Sequence, residues 1–179
     1  MARQSAPPEV AVSGDDGTYT VRARFSVAQS VDVARAVLSD YERIPEMIPD
    51  VRRSVIVQRV PRLLVEQEAV SHFGVFSRTL HLLLEVTVDD ARITFIDRSG
   101  QSFREYHGHW QLDPHGAGTA ITYALTARPA FKVPGFILSR VMTRDAHRTI
   151  ERLSSAMSER AVLAPPVSDR PDRRKLPRF

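Results

Sequence analysis

The sequence predicts an α+β fold, a curved antiparallel sheet of seven strands wrapped around a long C-terminal helix, with one or two short helices after the first strand. Three observations carry this. Stretches with an apolar period of two follow one another through short turns, and strands joined that way pair antiparallel, because a parallel crossover needs a dozen residues or more. No long helical pattern interrupts them. The one long stretch with apolar residues at three and four closes the chain, and its stripe needs a sheet face to cover it.

The first strand is read from Tyr19, Val21, Ala23 and Phe25, which alternate with Thr20, Arg22, Arg24 and Ser26. At Ser30 the period changes to helical, with Val31, Ala34, Val37, Leu38 and Tyr41 on one face. Ser30 suits the N-cap and Asp32 the first turn, where a carboxylate faces the positive end of the helix. Pro45 and Pro49 then limit YERIPEMIPD to a short helical turn. Five strand-like stretches follow at 52–60, 63–73, 77–88, 92–99 and 103–112, and a sixth runs from Thr119 to Ala127 after the turn DPHGAG. Beyond Pro134 and Gly135, Leu138, Val141, Met142, Ala146, Ile150, Leu153 and Met157 form the apolar stripe of the final helix.

Composition limits the function classes. The 179 residues, with 42% hydrophobic and 26% charged, suit one soluble globular domain. The absence of cysteine excludes disulfides, thiolate zinc sites and a cysteine nucleophile. Of the net charge of +4, the tail SDRPDRRKLPRF supplies +3, from five basic residues and two acids. The remainder is nearly neutral, which argues against a DNA-binding face. No apolar run reaches the length of a membrane span. The opening MARQSAPPEVAVSGDDG lacks the apolar core of a signal peptide, so a cytoplasmic location is expected, or a periplasmic one if a presequence has been removed. Residues 1–17 read as a flexible segment, 18–163 as the folded domain, and 164–179, with four prolines among charges, as a disordered basic tail.

Three local sequences in this order are similar to the START-like (SRPBCC) superfamily, in its polyketide cyclase/dehydrase or coenzyme-Q-binding branch. The first is VAQSVDVARAVLSDYERIPEMIPDV, which holds Asp40, Tyr41, Pro45 and Pro49 in a D-Y-x-x-x-P-x-x-x-P pattern. The second is FREYHGHWQL, with Gly108, Trp110 and Leu112 in a G-x-W-x-L strand. The third is a terminal helix entered through the proline-containing loop FKVPGF. The resemblance covers nearly all of 19–160. It implies a helix-grip fold with an apolar cavity between sheet and helix, which in this superfamily holds lipids, sterols, quinones or polyketides. It also implies members that transfer lipids, members that are aromatase/cyclases, and a branch directed to the ribosome. The fold itself does not choose among them.

Strict alternation along FREYHGHWQL puts Arg104, Tyr106, Gly108, Trp110 and Leu112 on one face, and Trp110 and Leu112 make that face the inward one. A buried guanidinium needs an acid or an anionic or carbonyl ligand. Arg104 therefore reads either as a ligand anchor or as a structural partner of Asp97. Tyr106 and Tyr123 read as hydrogen-bond donors to a carbonyl or enolate. The expected pocket lining is Val21, Phe25, Phe95, Tyr106, Trp110, Tyr123, Leu138 and Met142, with Arg104 as anchor, in a cavity of several hundred cubic ångströms. Catalysis would fall to Arg104, Tyr106, Tyr123 and Asp97.

His107 and His109, two apart on a strand, point the same way and could share a metal with His81, Glu105 or His115. They lie opposite Trp110, on the expected solvent face, so no metal and no cofactor is assigned. Phe131, Phe136 and Ile137 beside Lys132 and Arg140 read as the cavity entrance, suited to transient membrane contact, or as a hydrophobic closure of the core. Arg140, Arg144, Arg148 and Arg152 form a cationic stripe on the last helix, either solvated, with Asp145 and Glu151 close by, or facing anionic lipid or RNA. The primary expectation is a module that binds a hydrophobic small molecule without catalysis. The alternative is an aromatase/cyclase using the same cavity, and an RNA-directed role ranks third.

Overall fold

The structure, a computed structural model, describes residues 7–163. The expected disordered tail at 164–179 lies outside them, as do residues 1–6. Eight strands form one antiparallel sheet: β1 (Glu9–Asp15), β2 (Thr18–Val27), β3 (Val51–Gln58), β4 (Leu63–Phe73), β5 (Phe76–Val88), β6 (Arg92–Asp97), β7 (Phe103–His115) and β8 (Gly118–Pro129). Their order is β1-β2-β8-β7-β6-β5-β4-β3, so β2 crosses the fold to pair with β8 while the others follow as a meander. Between β2 and β3 lie α1 (Val31–Leu38), a single 3-10 turn (Tyr41–Arg43) and α2 (Ile44–Met47). The long helix α3 (Gly135–Leu163) fills the concave side of the sheet. Sheet and helix make the helix-grip architecture.

Within the segment read as flexible, Glu9–Asp15 form β1, which also adds an eighth strand to the seven expected. Asp16 and Gly17 both have positive φ, at 45° and 76°, which is the backbone of a two-residue hairpin turn. That turn sets the β1–β2 register from Asp15 opposite Thr18 to Glu9 opposite Arg24. Val10 and Val12, two apart, pack against the core, a short alternation hidden among prolines and charges.

Elsewhere local chemistry and fold agree. The Ser30 hydroxyl accepts a hydrogen bond from the Val33 amide and caps α1, with Asp32 in its first turn. Pro45 stands in the first turn of α2, where its missing N–H costs nothing. The core joins the inward faces of β2, β5, β6, β7 and β8 to α3, whose Leu138, Val141, Ala146, Ile150, Leu153 and Met157 are buried. Met142 of the same stripe is half-buried because it faces a cavity.

Two features of β7 shape the space beneath the helix. A register shift between Phe103 and Glu105 places Arg104 as the extra residue of a β-bulge. Gly108 lets two partners approach: a side chain there would meet the Phe95 ring at 2.8 Å and the Ala124 carbonyl oxygen. Substituting Gly108→Ala is expected to destabilise the fold by about 2–3 kcal/mol, since neither a strand backbone nor a packed ring can withdraw cheaply. The check is a lowered urea midpoint with an unchanged m-value.

Candidate functional site

Two compartments lie against the sheet, one beneath α3 and one beneath the short helices, and they share Tyr106 and Tyr123 as a wall. The outer one has a volume of about 180 Å³ and lies under the first turns of α3, among Val21, Phe103, Leu138, Met142 and Asp145. The inner one, about 170 Å³, lies under α1 and α2, among Tyr41, Ile48, Phe95 and Trp110. The single space of several hundred cubic ångströms expected from the sequence is thus partitioned by aromatic side chains.

These rings form a continuous row. Trp110 stacks on Tyr123 with ring centres 4.2 Å apart, and Tyr123 lies 6.5 Å from Phe95. Phe95 is 6.0 Å from Tyr106, which is 4.8 Å from Phe103. Phe103 then meets Phe131 at 6.5 Å, and Phe131 meets Phe73 edge-on at 5.9 Å. The Arg78 guanidinium caps the row, 4.2 Å above the Phe131 ring. The row leads from the inner compartment, at Trp110, to the mouth, at Phe131 and Phe73.

Of the residues expected to line the pocket, Val21, Leu138 and Met142 stand in the outer compartment and Phe95 and Trp110 in the inner one, with Tyr106 and Tyr123 in both. Phe25 does not join them. It is 7% exposed in the core, opposite Ile121, and lies beside Ile150 toward the far end of α3. Arg104 is also excluded, because the bulge at this residue breaks the alternation that set its direction. Phe103 and Tyr106 both face inward, and Arg104 is exposed in an outer groove.

Asp97 is not the partner of Arg104 either. Its Oδ1 accepts from the amides of Leu83 and Ser99, each at 2.9 Å, and its Oδ2 from the Ser99 hydroxyl at 3.1 Å and the Gly100 amide at 3.3 Å. The carboxylate thus holds the turn after β6. Of the entrance residues, Phe131 lines the outer compartment, Phe136 is 78% exposed and Ile137 is half-buried.

The electrostatics of the wall follow from burial. Desolvation, helped by the negative charge of Asp97, pushes the Tyr106 phenol up to about 12. Desolvation first, then Tyr106, raises Tyr123 well above the usual phenol range. Both therefore stay protonated and act as donors at any physiological pH. Tyr41, in the inner compartment, has a buried hydroxyl with no hydrogen-bond partner among the described residues, and burial raises it too.

One ionisable group lining the outer compartment enters the sequence reading only as a counter-charge to the arginine stripe. Asp145 is raised by burial, against the lowering effect of Arg144, whose guanidinium donates to Oδ1 at 2.9 Å. Its position is available in the spacing, since 138, 141, 142 and 145 share one helical face. The stripe itself is half-neutralised: Arg144 pairs with Asp145, and Arg148 with Asp50 at 3.1 Å.

His107 and His109 face away from the cavity. His107 Nε2 lies 2.9 Å from Glu105, and His109 is lowered by burial and by the charges of Arg92 and Arg22. Among the described residues no three His, Asp or Glu side chains converge as metal ligands would. No helix there is long and apolar enough to cross a membrane.

A family model described as polyketide cyclase / dehydrase and lipid transport matches residues 27–154. No curated protein sequence matches the chain significantly. Among solved structures, a protein of Thermus thermophilus superposes with a TM-score of 0.68 at 20% identity, covering 79% of this chain and 99% of that one. The STAR-related lipid transfer protein of Xanthomonas axonopodis gives 0.66 at 19%, covering 88% and 97%. The Zhui aromatase/cyclase of Streptomyces sp. R1128 gives 0.67 at 14%, covering 80% and 96%. Identities this low show a shared fold.

The raised Asp145 gives a signed pH prediction. A carboxyl that holds its proton more tightly when folded contributes stability that is lost as pH rises from the ordinary aspartate value through the raised one. Through the window that opens at the ordinary aspartate value of about 4, wild type should lose stability relative to Asp145→Asn as the pH rises. Parallel urea midpoints for the two proteins across that window would reject the buried-acid reading.

Proposed function

We propose that this chain, which belongs to the polyketide cyclase/dehydrase and lipid transport family, binds an elongated hydrophobic molecule in the two compartments and presents it unchanged. The observation that carries the reading is the Tyr106–Tyr123 wall. Apolar side chains surround two phenols that remain donors, and neither can serve as a base near neutral pH. Such a pair suits a carbonyl or hydroxyl oxygen within an otherwise apolar ligand. A molecule that reaches from the outer into the inner compartment must displace or thread between these two rings, so occupancy and their positions are coupled.

A second reading rests on Asp145. It is a carboxyl raised by its surroundings in the outer compartment, and it could accept a proton from an activated carbon of a poly-β-keto chain while the phenols polarise the neighbouring carbonyl. Solved structures with this fold include both a lipid transfer protein and an aromatase/cyclase. The mouth supports delivery. Exposed Phe136 is joined there by Val75 and Phe76, 92% and 75% exposed, at the tip of the β4–β5 hairpin, where Phe73 pairs with Phe76. Apolar tips beside Arg78 and Lys132 suit transient contact with a bilayer surface.

Native mass spectrometry of the purified chain, followed by denaturing extraction, should find a bound hydrophobic molecule. In solution, a medium-chain ketone should bind more tightly than the alkane of equal length. Replacing both phenols, Tyr106→Phe with Tyr123→Phe, should remove about tenfold of the ketone's affinity and little of the alkane's. Equal losses for both would sink the donor role. Turnover of a poly-β-keto substrate that Asp145→Asn abolishes would favour the cyclase reading instead.

A further inference from the structure

The mouth of the cavity opens beside a groove whose chemistry differs from that of the cavity. Arg104, Arg128 and Lys132 all line it, together with Tyr19 and the residues leading into α3. Among the described residues, no carboxylate comes within 4 Å of any of these three cations, although eleven ion pairs form elsewhere. Asp15 and Asp16, next to Gly17 at the groove's rim, make no such pair either. Like charges so gathered repel one another, and an anion relieves that repulsion.

Three further observations point the same way. The bulge at Arg104 turns a side chain that regular alternation would send into the cavity outward to this groove, and bulges commonly re-aim side chains at sites. The 29-residue helix α3 begins here with no acid in its first turn, so the positive end of its dipole is uncompensated. A Cβ added at Gly135 would lie 2.7 Å from the Tyr19 hydroxyl, so that phenol sits against the start of the helix as a further donor. Pro129, Phe131 and Leu138 line both the groove and the outer compartment, which makes the two continuous.

We propose that the groove holds the anionic head, a phosphate or carboxylate, of a single-chain amphiphile whose apolar chain passes Phe131 and Leu138 into the cavity. This rests on the cavity being a hydrophobic-ligand site and adds the class of ligand. Arg104 and Arg128, from adjacent strands, offer guanidinium forks to the head, and Lys132 adds a point charge from the loop. The Phe131 ring, with Arg78 above it, stands at the passage from groove to cavity.

The test is titration calorimetry of the full chain with dodecyl phosphate, dodecanol and inorganic phosphate. Dodecyl phosphate should bind about tenfold more tightly than dodecanol, and added salt should erode the difference. In Arg104→Gln with Arg128→Gln the advantage should vanish while dodecanol binds as before; Lys132→Gln, in a loop, should lower it about threefold and serves if the double variant fails to fold.

Equal binding of both probes by wild type would overturn the groove assignment and leave the cavity reading intact. Inorganic phosphate binding as tightly as dodecyl phosphate, with no response to dodecanol, would overturn the amphiphile and the cavity reading together. Binding of neither alkyl probe would do the same. Sedimentation with vesicles of phosphatidylcholine and phosphatidic acid, without binding of dodecyl phosphate in free solution, would overturn the free ligand in favour of a membrane surface.

Discussion

The close approach at Gly108 is the constraint on which the site depends. Without a side chain there, the Phe95 ring of β6 lies over β7, and the Ala124 carbonyl of β8 comes close from the other side. Phe95 is then held between Tyr106 and Tyr123, and Tyr123 in turn supports Trp110. Any larger residue at this point would push Phe95 off the strand and remove the middle of the row. The seating of Phe95 between the two phenols, and with it the middle of the row, follows from one absent methyl group.

A second consequence concerns how polar and apolar functions are kept apart. Regular pairing along β7 would have placed a guanidinium next to Tyr106, where desolvation of the charge would cost several kcal/mol without a partner. The bulge moves that charge to the outside within one residue, and Phe103 takes the inward place. The cavity then keeps only neutral donors and one carboxyl at its margin, while the cations collect in the groove beyond Phe131. Asp97, the partner expected for the arginine, is instead saturated by three amides and a hydroxyl and fixes the turn that leads into β7.

The mouth is built from parts that can move without disturbing the core. Phe131 lies in the loop between β8 and α3, and Phe73 and Phe76 end and begin the strands of a hairpin whose Gly74 adopts positive φ. Arg144 ties that hairpin to α3 by donating to the His72 carbonyl at 3.1 Å, a contact at the surface, where it is weak. Deep in the fold, by contrast, Ile150, Leu153 and Met157 are almost wholly buried. Opening at the mouth is therefore cheaper than loosening the far end of α3, which directs a ligand past Phe131.

By itself the sequence determined most of what depends on periodicity and short turns, β1 with its Asp16–Gly17 turn being the exception. The alternation of β2, the stripe of α3, the Ser30 cap and the proline stop after α1 each express a local preference that the packing only reinforces. Tyr106, Tyr123, Trp110, Phe95, Leu138 and Met142 could be placed near the cavity for the same reason, because a strand or helix face is a property of spacing. Only the tertiary structure decided where that spacing fails or where two elements meet. The bulge at Arg104 depends on the register against β8, which no residue of β7 announces. The grouping of Arg104, Arg128 and Lys132 needs a strand interior, a strand end and a loop brought to one place. Phe25 carried the same inward pattern as Val21, yet four residues along a strand of about 3.3 Å rise moved it out of the cavity and against Ile150 of α3. Local periodicity fixes which way a side chain points; how far along the sheet the cavity extends is set by what packs above it.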